Sequence, residues 1–251
     1  MTMGESKRFL ICGGASGIGL AVARLAIAQG GRVYLLDYNE VALAREVEAL
    51  GGDAQGCACD VSKAEEVQAA ILKAGQWLGG LDAVVNCAGI DALVPLKDLD
   101  LDVWNHTLAV NLTGTMLVCQ AALPLLKAAG GGTIVNVSSA AGLRPLPNRT
   151  AYCAAKAAVV MFGKALSMEV AKDNIRVNTV CPGAVDTPLF RSSYEGDENP
   201  EQSLQAIRER YALERIASPE ELAESVMFLS SQTSSYITGT TLAVDGGRSF
   251  H

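Results

Sequence analysis

Short apolar runs alternate with longer amphipathic ones from one end of the chain to the other. Runs at positions 8–12, 32–37, 55–58, 82–86, 133–137, 175–180 and 241–244 are a handful of residues each and mostly Val, Leu, Ile and Ala. Continuous rather than alternating apolar runs of that length read as strands covered on both faces. Between them, apolar residues recur at helical spacing over 20–29, 40–50, 62–78, 101–129 and 148–173, and again from Ser218 onward. Gly30-Gly31 and Gly51-Gly52 stop the first two helices, Ser62 and Glu65 have the spacing of a capping box, and Ser218-Pro219-Glu220-Glu221 supplies an N-cap, an N1 proline and an N3 acid. Strand and helix in regular alternation predict an α/β chain, a doubly wound parallel sheet, with 1–251 as a single domain. Residues 186–213 carry little periodicity before Glu201 and have a charged tip around Gly196, so they are expected to form a lid over a substrate.

Composition narrows the function. Of 251 residues, 49% are hydrophobic, enough for a sizeable core, and the formal charge is −7. An acidic chain argues against nucleic acid or an anionic membrane surface as partner. No apolar run reaches the length expected of a membrane span, residues 1–8 are polar without a signal-peptide core, and the cytoplasm is the expected location. The seven cysteines form no CxxC and sit mostly in apolar runs, so they read as reduced core residues, with no metal site. There are two histidines, His106 and His251, and neither HExxH nor GxSxG. Acid–base chemistry must therefore come from another side chain.

Tyr152 and Lys156, four apart on a predicted helix, share one face. An ammonium beside a phenol favours phenolate, so the expectation is a tyrosine tuned to exchange a proton with an alcohol or carbonyl oxygen. Alone, such a pair is more often a buried tyrosine with a snorkelling lysine. At the other end, strand 8–12 runs into Gly13-Gly14-Ala15-Ser16-Gly17-Ile18-Gly19 and then a helix, an arrangement that cradles a pyrophosphate on a helix N-terminus. Asp37 ends the second strand eighteen residues beyond Gly19, where a carboxylate accepts both ribose hydroxyls of NAD.

Taken together, these motifs resemble the short-chain dehydrogenase/reductases, single Rossmann-type domains, over nearly the whole length. Gly13-xxx-Gly17-Ile18-Gly19, Asp60, Asn86-Cys87-Ala88-Gly89, Asn111, Ser139, Tyr152-xxx-Lys156 and Pro182-Gly183 with Thr187 match in order and spacing. The resemblance implies Tyr152 as general acid–base and Lys156 as its tuner and holder of the nicotinamide ribose. It implies Ser139, rather than Ser138, on the substrate oxygen, and Asn111 binding a water that links Lys156 to solvent. It further implies Asp60 and Val61 at the adenine, Asn86, Ala88 and Gly89 along the adenosine side, and Val185 and Thr187 at the carboxamide. Such proteins commonly pair the helices 101–129 and 151–172 into a four-helix interface and then form a homotetramer. Two positions depart from the pattern: Cys12 stands for the usual threonine and Cys87 for the second asparagine of the NNAG stretch.

The expected activity is NAD-dependent interconversion of a small-molecule secondary alcohol and ketone. The alternative within the family is an NADPH-dependent 3-oxoacyl-thioester reductase, which usually has a basic residue where Ser16 stands and lacks the acid at Asp37. A nucleotide-sensing protein that kept the fold and lost catalysis is the alternative from another class. Arg144 or Arg149 is a candidate to grip an anionic substrate, against the plainer reading of a solvated loop arginine.

Overall fold

A computed structural model describes residues 7–250; the polar stretch 1–6 and His251 lie outside the described residues. Seven strands form one parallel sheet in the order β3-β2-β1-β4-β5-β6-β7. They are β1 (Arg8–Cys12), β2 (Arg32–Asp37), β3 (Ala54–Ala58), β4 (Ala83–Asn86), β5 (Gly132–Val137), β6 (Ile175–Pro182) and β7 (Thr241–Val244). Strand order reverses direction between β1 and β4, which opens a crevice at their carboxyl ends.

Within β1 the side chains alternate between two cores. Phe9 and Ile11 join Val33, Leu35, Val85 and Val135 on one face, under α1 (Gly17–Ala28) and, near the C-terminus, the helix Pro219–Ser230. Leu10 and Cys12 join Tyr34, Leu36, Val84 and Ile134 on the other. That second face is covered by α3 (Ala64–Leu78), with α2 (Glu40–Leu50) preceding it on the first face, and by the helices that follow β4 and β5. Each fully buried Leu or Ile contributes about 1.5–3 kcal/mol, against at most about 0.7 kcal/mol of intrinsic helix preference per ordinary residue. Pattern therefore dominates propensity here, and even the weak edge strand β3, with Gly56 opposite Leu35, forms where its pattern places it.

Local chemistry sets the ends. Ser218 closes a capping box with Glu221 on the helix Pro219–Ser230, as its sequence predicts. The box expected at Ser62 does not form: Ser62 Oγ donates to Asp60 Oδ1 at 2.6 Å, α3 starts at Ala64, and Glu66 reaches back to the Asp60 N–H at 2.9 Å. The predicted helix 148–173 is α6 (Thr150–Val170), ended by a 3-10 turn, Ala171–Asp173.

One helix, Leu101–Ala128, is long and apolar enough by length and composition to cross a membrane, contrary to the expectation that no run is. It comprises α4 (Leu101–Leu108), a π-helical turn Ala109–Thr113 and α5 (Gly114–Ala128). Val118, Cys119, Ala122 and Leu126 of α5 pack into the second core. The region expected to be a lid, 186–213, contains two short helices, α7 (Pro188–Arg191) and α8 (Pro200–Arg208), capped by Thr187 and Asn199; the helix Pro219–Ser230 is α9.

Candidate active site

The glycine turn after β1 meets the loop after β4. Gly13 has φ of +73°, and a Cβ there would stand 2.7 Å from the Ala88 nitrogen, so only glycine lets the two loops close on each other. Ser16 precedes α1 as its N-cap residue but makes no side-chain cap bond, which leaves the first-turn N–H groups of Gly17, Ile18 and Gly19 to an anion. Asp37 is tied to the same turn: its carboxylate accepts the Ala15 N–H and the Asn39 N–H, both at 3.0 Å. A cradle for phosphates and a carboxylate at the tip of β2 thus fit a dinucleotide. Asp60 takes both the N–H and the hydroxyl of Ser62; burial works against its charge, but these bonds and Lys63 win and hold its carboxyl below the usual range. Val61 is buried against Gly114. The Asn86 side chain turns inward, donating to Asn136 Oδ1 at 2.9 Å, so that of Asn86 only the backbone is left to face a ligand.

Across the crevice, a cavity of about 420 Å³ gathers Ile18, Gly89, Ser139, Tyr152, Lys156, Pro182, Gly183, Val185 and Thr187 in its walls. The other expected cofactor residues lie outside it along the same carboxyl edge of the sheet. Lys156 is 4% exposed and donates to the Val137 carbonyl at 3.1 Å. Ser138 spends its hydroxyl on the Lys156 carbonyl at 2.7 Å, which leaves Ser139, whose Oγ accepts the Ala141 N–H at 3.1 Å, to bond the Tyr152 phenol.

Asn111 sits in the π-turn, fully buried. Its amide donates to the carbonyls of Thr107 and Ile90, both at 2.9 Å, so it satisfies an oxygen of the widened ladder and pins the 86–90 loop to the helix. A Cβ on Gly89 would stand 2.8 Å from Asn111 Oδ1 and 3.2 Å from Lys156 Nζ, so both groups border the space that a side chain there would fill.

Electrostatics differ from the sequence expectation. Burial pushes the Tyr152 phenol up to about 12, more than the Ser139 hydrogen bond lowers it, and Asp91 adds to the rise. Lys156 stands 5.7 Å from the Tyr152 ring centre, with one of its three N–H donors on the Val137 carbonyl, and does not overcome that burial. Burial also lowers Lys156 itself, to about 8. At neutral pH the pair is a phenol and a mostly charged ammonium, the protonation that serves an acid.

Two wall residues escaped sequence reasoning, Asp91 and Arg248, while Arg210 and Tyr211 in the wall belong to the region expected to be the lid. Arg149 is no free grip, since its Nε donates to Asp91 Oδ2 at 2.7 Å with both side chains largely buried. The one available signal for Arg248 was Asp245-Gly246-Gly247, whose two glycines take φ of +57° and +87° and fold the chain back over the carboxyl edge.

The profile of the family described as enoyl-(acyl carrier protein) reductase matches residues 13–249. The 2-(S)-hydroxypropyl-CoM dehydrogenase 3 of Xanthobacter autotrophicus is 39% identical over 97% of this chain and 96% of its own. This chain belongs to the short-chain dehydrogenase/reductase family. The D-threitol dehydrogenase of Mycolicibacterium smegmatis is 38% identical over 97% of this chain and 93% of its own. A 3-oxoacyl-[acyl-carrier-protein] reductase of Chlamydia muridarum is 38% identical over 96% of this chain and 97% of its own. Among solved structures, levodione reductase superposes with a TM-score of 0.94 at 29% identity, with 97% of each chain covered. An actinorhodin polyketide ketoreductase with NADPH does so with a TM-score of 0.94 at 32% identity over all of both chains. As a short-chain dehydrogenase/reductase the protein is an oxidoreductase acting on CH–OH groups with a nicotinamide cofactor.

Because an added Cβ at Gly89 would press on both Asn111 Oδ1 and Lys156 Nζ, Gly89→Ala should lower kcat about 10- to 100-fold by displacing the ammonium, as misplacement near 1 Å does. Steady-state kinetics beside a thermal melt checks this: a lost fold would show as a lowered Tm, whereas the expected variant melts near the parent.

Proposed function

We propose that the protein interconverts a secondary alcohol and a ketone with NAD(H), Tyr152 serving as general acid and base. The observation that carries this reading is that Tyr152, Ser139 and Lys156 converge on one cavity, while Asp37 is held on the glycine turn at the same carboxyl edge of the sheet. Ser139, its Oγ oriented by the Ala141 N–H, holds the substrate oxygen, and Tyr152 gives that oxygen a proton or takes one from it. Lys156 holds the nicotinamide ribose and presents its charge from the floor of the site. When bound, the cofactor gives or accepts the hydride, and its oxidised ring adds the positive charge that the alcohol-oxidising direction needs. Asn111 holds the Gly89 loop beside Lys156, and a water on that side links the ammonium to solvent. Residues 186–213 act as a lid that excludes water from the transfer. Seven free thiols fit a reducing cytoplasm.

Removing the phenol hydroxyl in Tyr152→Phe should cost about 10²- to 10⁴-fold in kcat while NADH binding, followed by fluorescence titration, stays near that of the parent. Near-normal turnover of every accepted substrate would overturn Tyr152 as the acid.

The cofactor preference follows from Asp37. A 2′-phosphate would remove one hydrogen-bond donor to its carboxylate and set a dianion beside it; one like-charge pair at about 4 Å and an effective dielectric near 20 costs about 4 kcal/mol before screening. Ser16 and Tyr38 offer no compensating cation. Half of that cost still exceeds tenfold in affinity. NAD(H) should therefore be preferred by more than tenfold in kcat/KM, and Asp37→Ser with Tyr38→Arg should move the preference toward NADP(H). The second reading, an NADPH-dependent 3-oxoacyl-thioester reductase, draws support from the Chlamydia relative, and equal or NADPH-favouring values in the parent would make it the better one.

We also propose a homotetramer. Met161 and Met168 on α6 are 63% and 84% exposed, and only 33% of the most apolar window of helix Leu101–Ala128 is buried within one chain, so apolar surface on these helices is left for a second copy. Light scattering should give four chains per particle; a monomer at micromolar concentration would overturn this.

A further inference from the structure

The cavity is basic although the chain is acidic. Lys156, Arg144, Arg149, Arg210 and Arg248 line it, against Asp91 and Asp197. Arg149 is consumed by Asp91, and Asp197 accepts the Ser203 hydroxyl at 2.6 Å. Three arginines remain, and no carboxylate of the described residues lies within 4.0 Å of any of their guanidinium groups.

Arg248 is the decisive one. It is 9% exposed, more than nine-tenths buried, and its guanidinium makes no hydrogen bond or ion pair with any of the described residues while it lines the cavity. The nearby Asp245 carboxylate favours its charge from a distance without pairing with it: Asp245 accepts the Gly247 N–H at 3.1 Å and the Ser249 N–H at 2.8 Å, and so holds the turn that delivers Arg248 inward. Arg144 donates to the Arg248 carbonyl at 3.1 Å, which sets a second guanidinium beside the first. Arg210 comes from the end of the lid region, next to Tyr211, whose ring packs over Gly183 in the cavity wall. Burial first, then the like charge of Arg144, lowers the Arg248 pKa, with Arg210 acting in the same sense and Tyr211 and Asp245 opposing it. A desolvated cation flanked by two others is unfavourable unless an anion joins it. A guanidinium fork is built to take an oxyanion in two parallel hydrogen bonds.

We propose that Arg248, with Arg144 and Arg210, binds a terminal oxyanion of the substrate, so that the alcohol or ketone turned over at Tyr152 carries a carboxylate or phosphonate-like group at its far end. This rests on the cavity being the substrate site proposed above. It assigns two arms to the cavity: Ser139 and Tyr152 take the reacting oxygen, and the arginines take the charge. Because Arg210 belongs to the lid region and Arg248 to the C-terminal turn, an anion between them also ties the lid to the body of the protein.

The test uses the full chain with saturating NADH and with NADPH, and methyl ketones matched in chain length but ending in carboxylate, phosphonate or methyl. At the best length, an anionic ketone should exceed the methyl-ended one in kcat/KM by about tenfold or more, and Arg248→Gln should bring that ratio down about tenfold, toward one. Arg248→Lys should retain part of it, and Arg210→Gln, an exposed position chosen to leave the fold intact, should lower it in the same direction. The better of the two anionic arms tells carboxylate from phosphonate. A methyl-ended ketone equal to its anionic partners, or a ratio unmoved in both Gln variants, overturns the proposal. Calorimetric titration with the saturated carboxylate and phosphonate separates the two readings: binding lost in Arg248→Gln supports the anion site even if no ketone is reduced, and that absence of turnover would sink the dehydrogenase reading alone. No binding by either anion overturns the site.

Discussion

Lys156 is where the site is tied to the fold. Its ammonium is buried at the end of β5, bonded to the Val137 carbonyl, while its own carbonyl takes the Ser138 hydroxyl. Those two bonds fix the rotation and height of α6 against the sheet, and hence where Tyr152, one turn earlier, meets Ser139. Gly89 leaves the lysine room and Asn111 holds the Gly89 loop. A buried ammonium without a carboxylate is held at a cost that its depressed pKa, about 8, reports. Such a cost persists where chemistry needs the charge.

The parallel sheet explains why residues so distant in sequence collaborate. All strands point the same way, so the glycine turn, Asp37, the 86–90 loop, Ser139 and the turn after β6 emerge at one edge. Reversal of strand order between β1 and β4 then parts the loops and leaves a crevice instead of a covered rim. The π-turn at Ala109–Thr113 answers a local need at that edge, because it places the Asn111 amide level with Ile90 and satisfies the ladder it interrupts.

The charge distribution separates binding from folding. Exposed pairs such as Arg215 with Glu221 or Arg191 with Asp186 are screened and contribute little. Arg149 with Asp91 is largely dry and shapes the wall of the cavity. Arg248 is buried and has no ion-pair partner among the described residues, and in a chain of net charge −7 a cavity lined by three unpaired arginines stands out to an anion.

Periodicity determined the elements: buried strands read as unbroken apolar runs, and Ser218 with Glu221 announced a helix start because a cap is a local bond. The glycine spacing, Asp37 and the Tyr152–Lys156 interval were legible for the same reason, since each depends on neighbours within a turn or on a loop's own backbone. Other features depended on the packed chain. Ser62 lost its cap to Asp60, and the tyrosine's protonation is decided by desolvation, which no spacing encodes. Arg149 and Arg248 are the same residue type on two loops; only the folded chain supplied Asp91 to one and withheld a carboxylate from the other. Sequence determines which groups exist and which lie a turn apart, whereas burial and long-range partners exist only once the sheet has brought its loops to one edge.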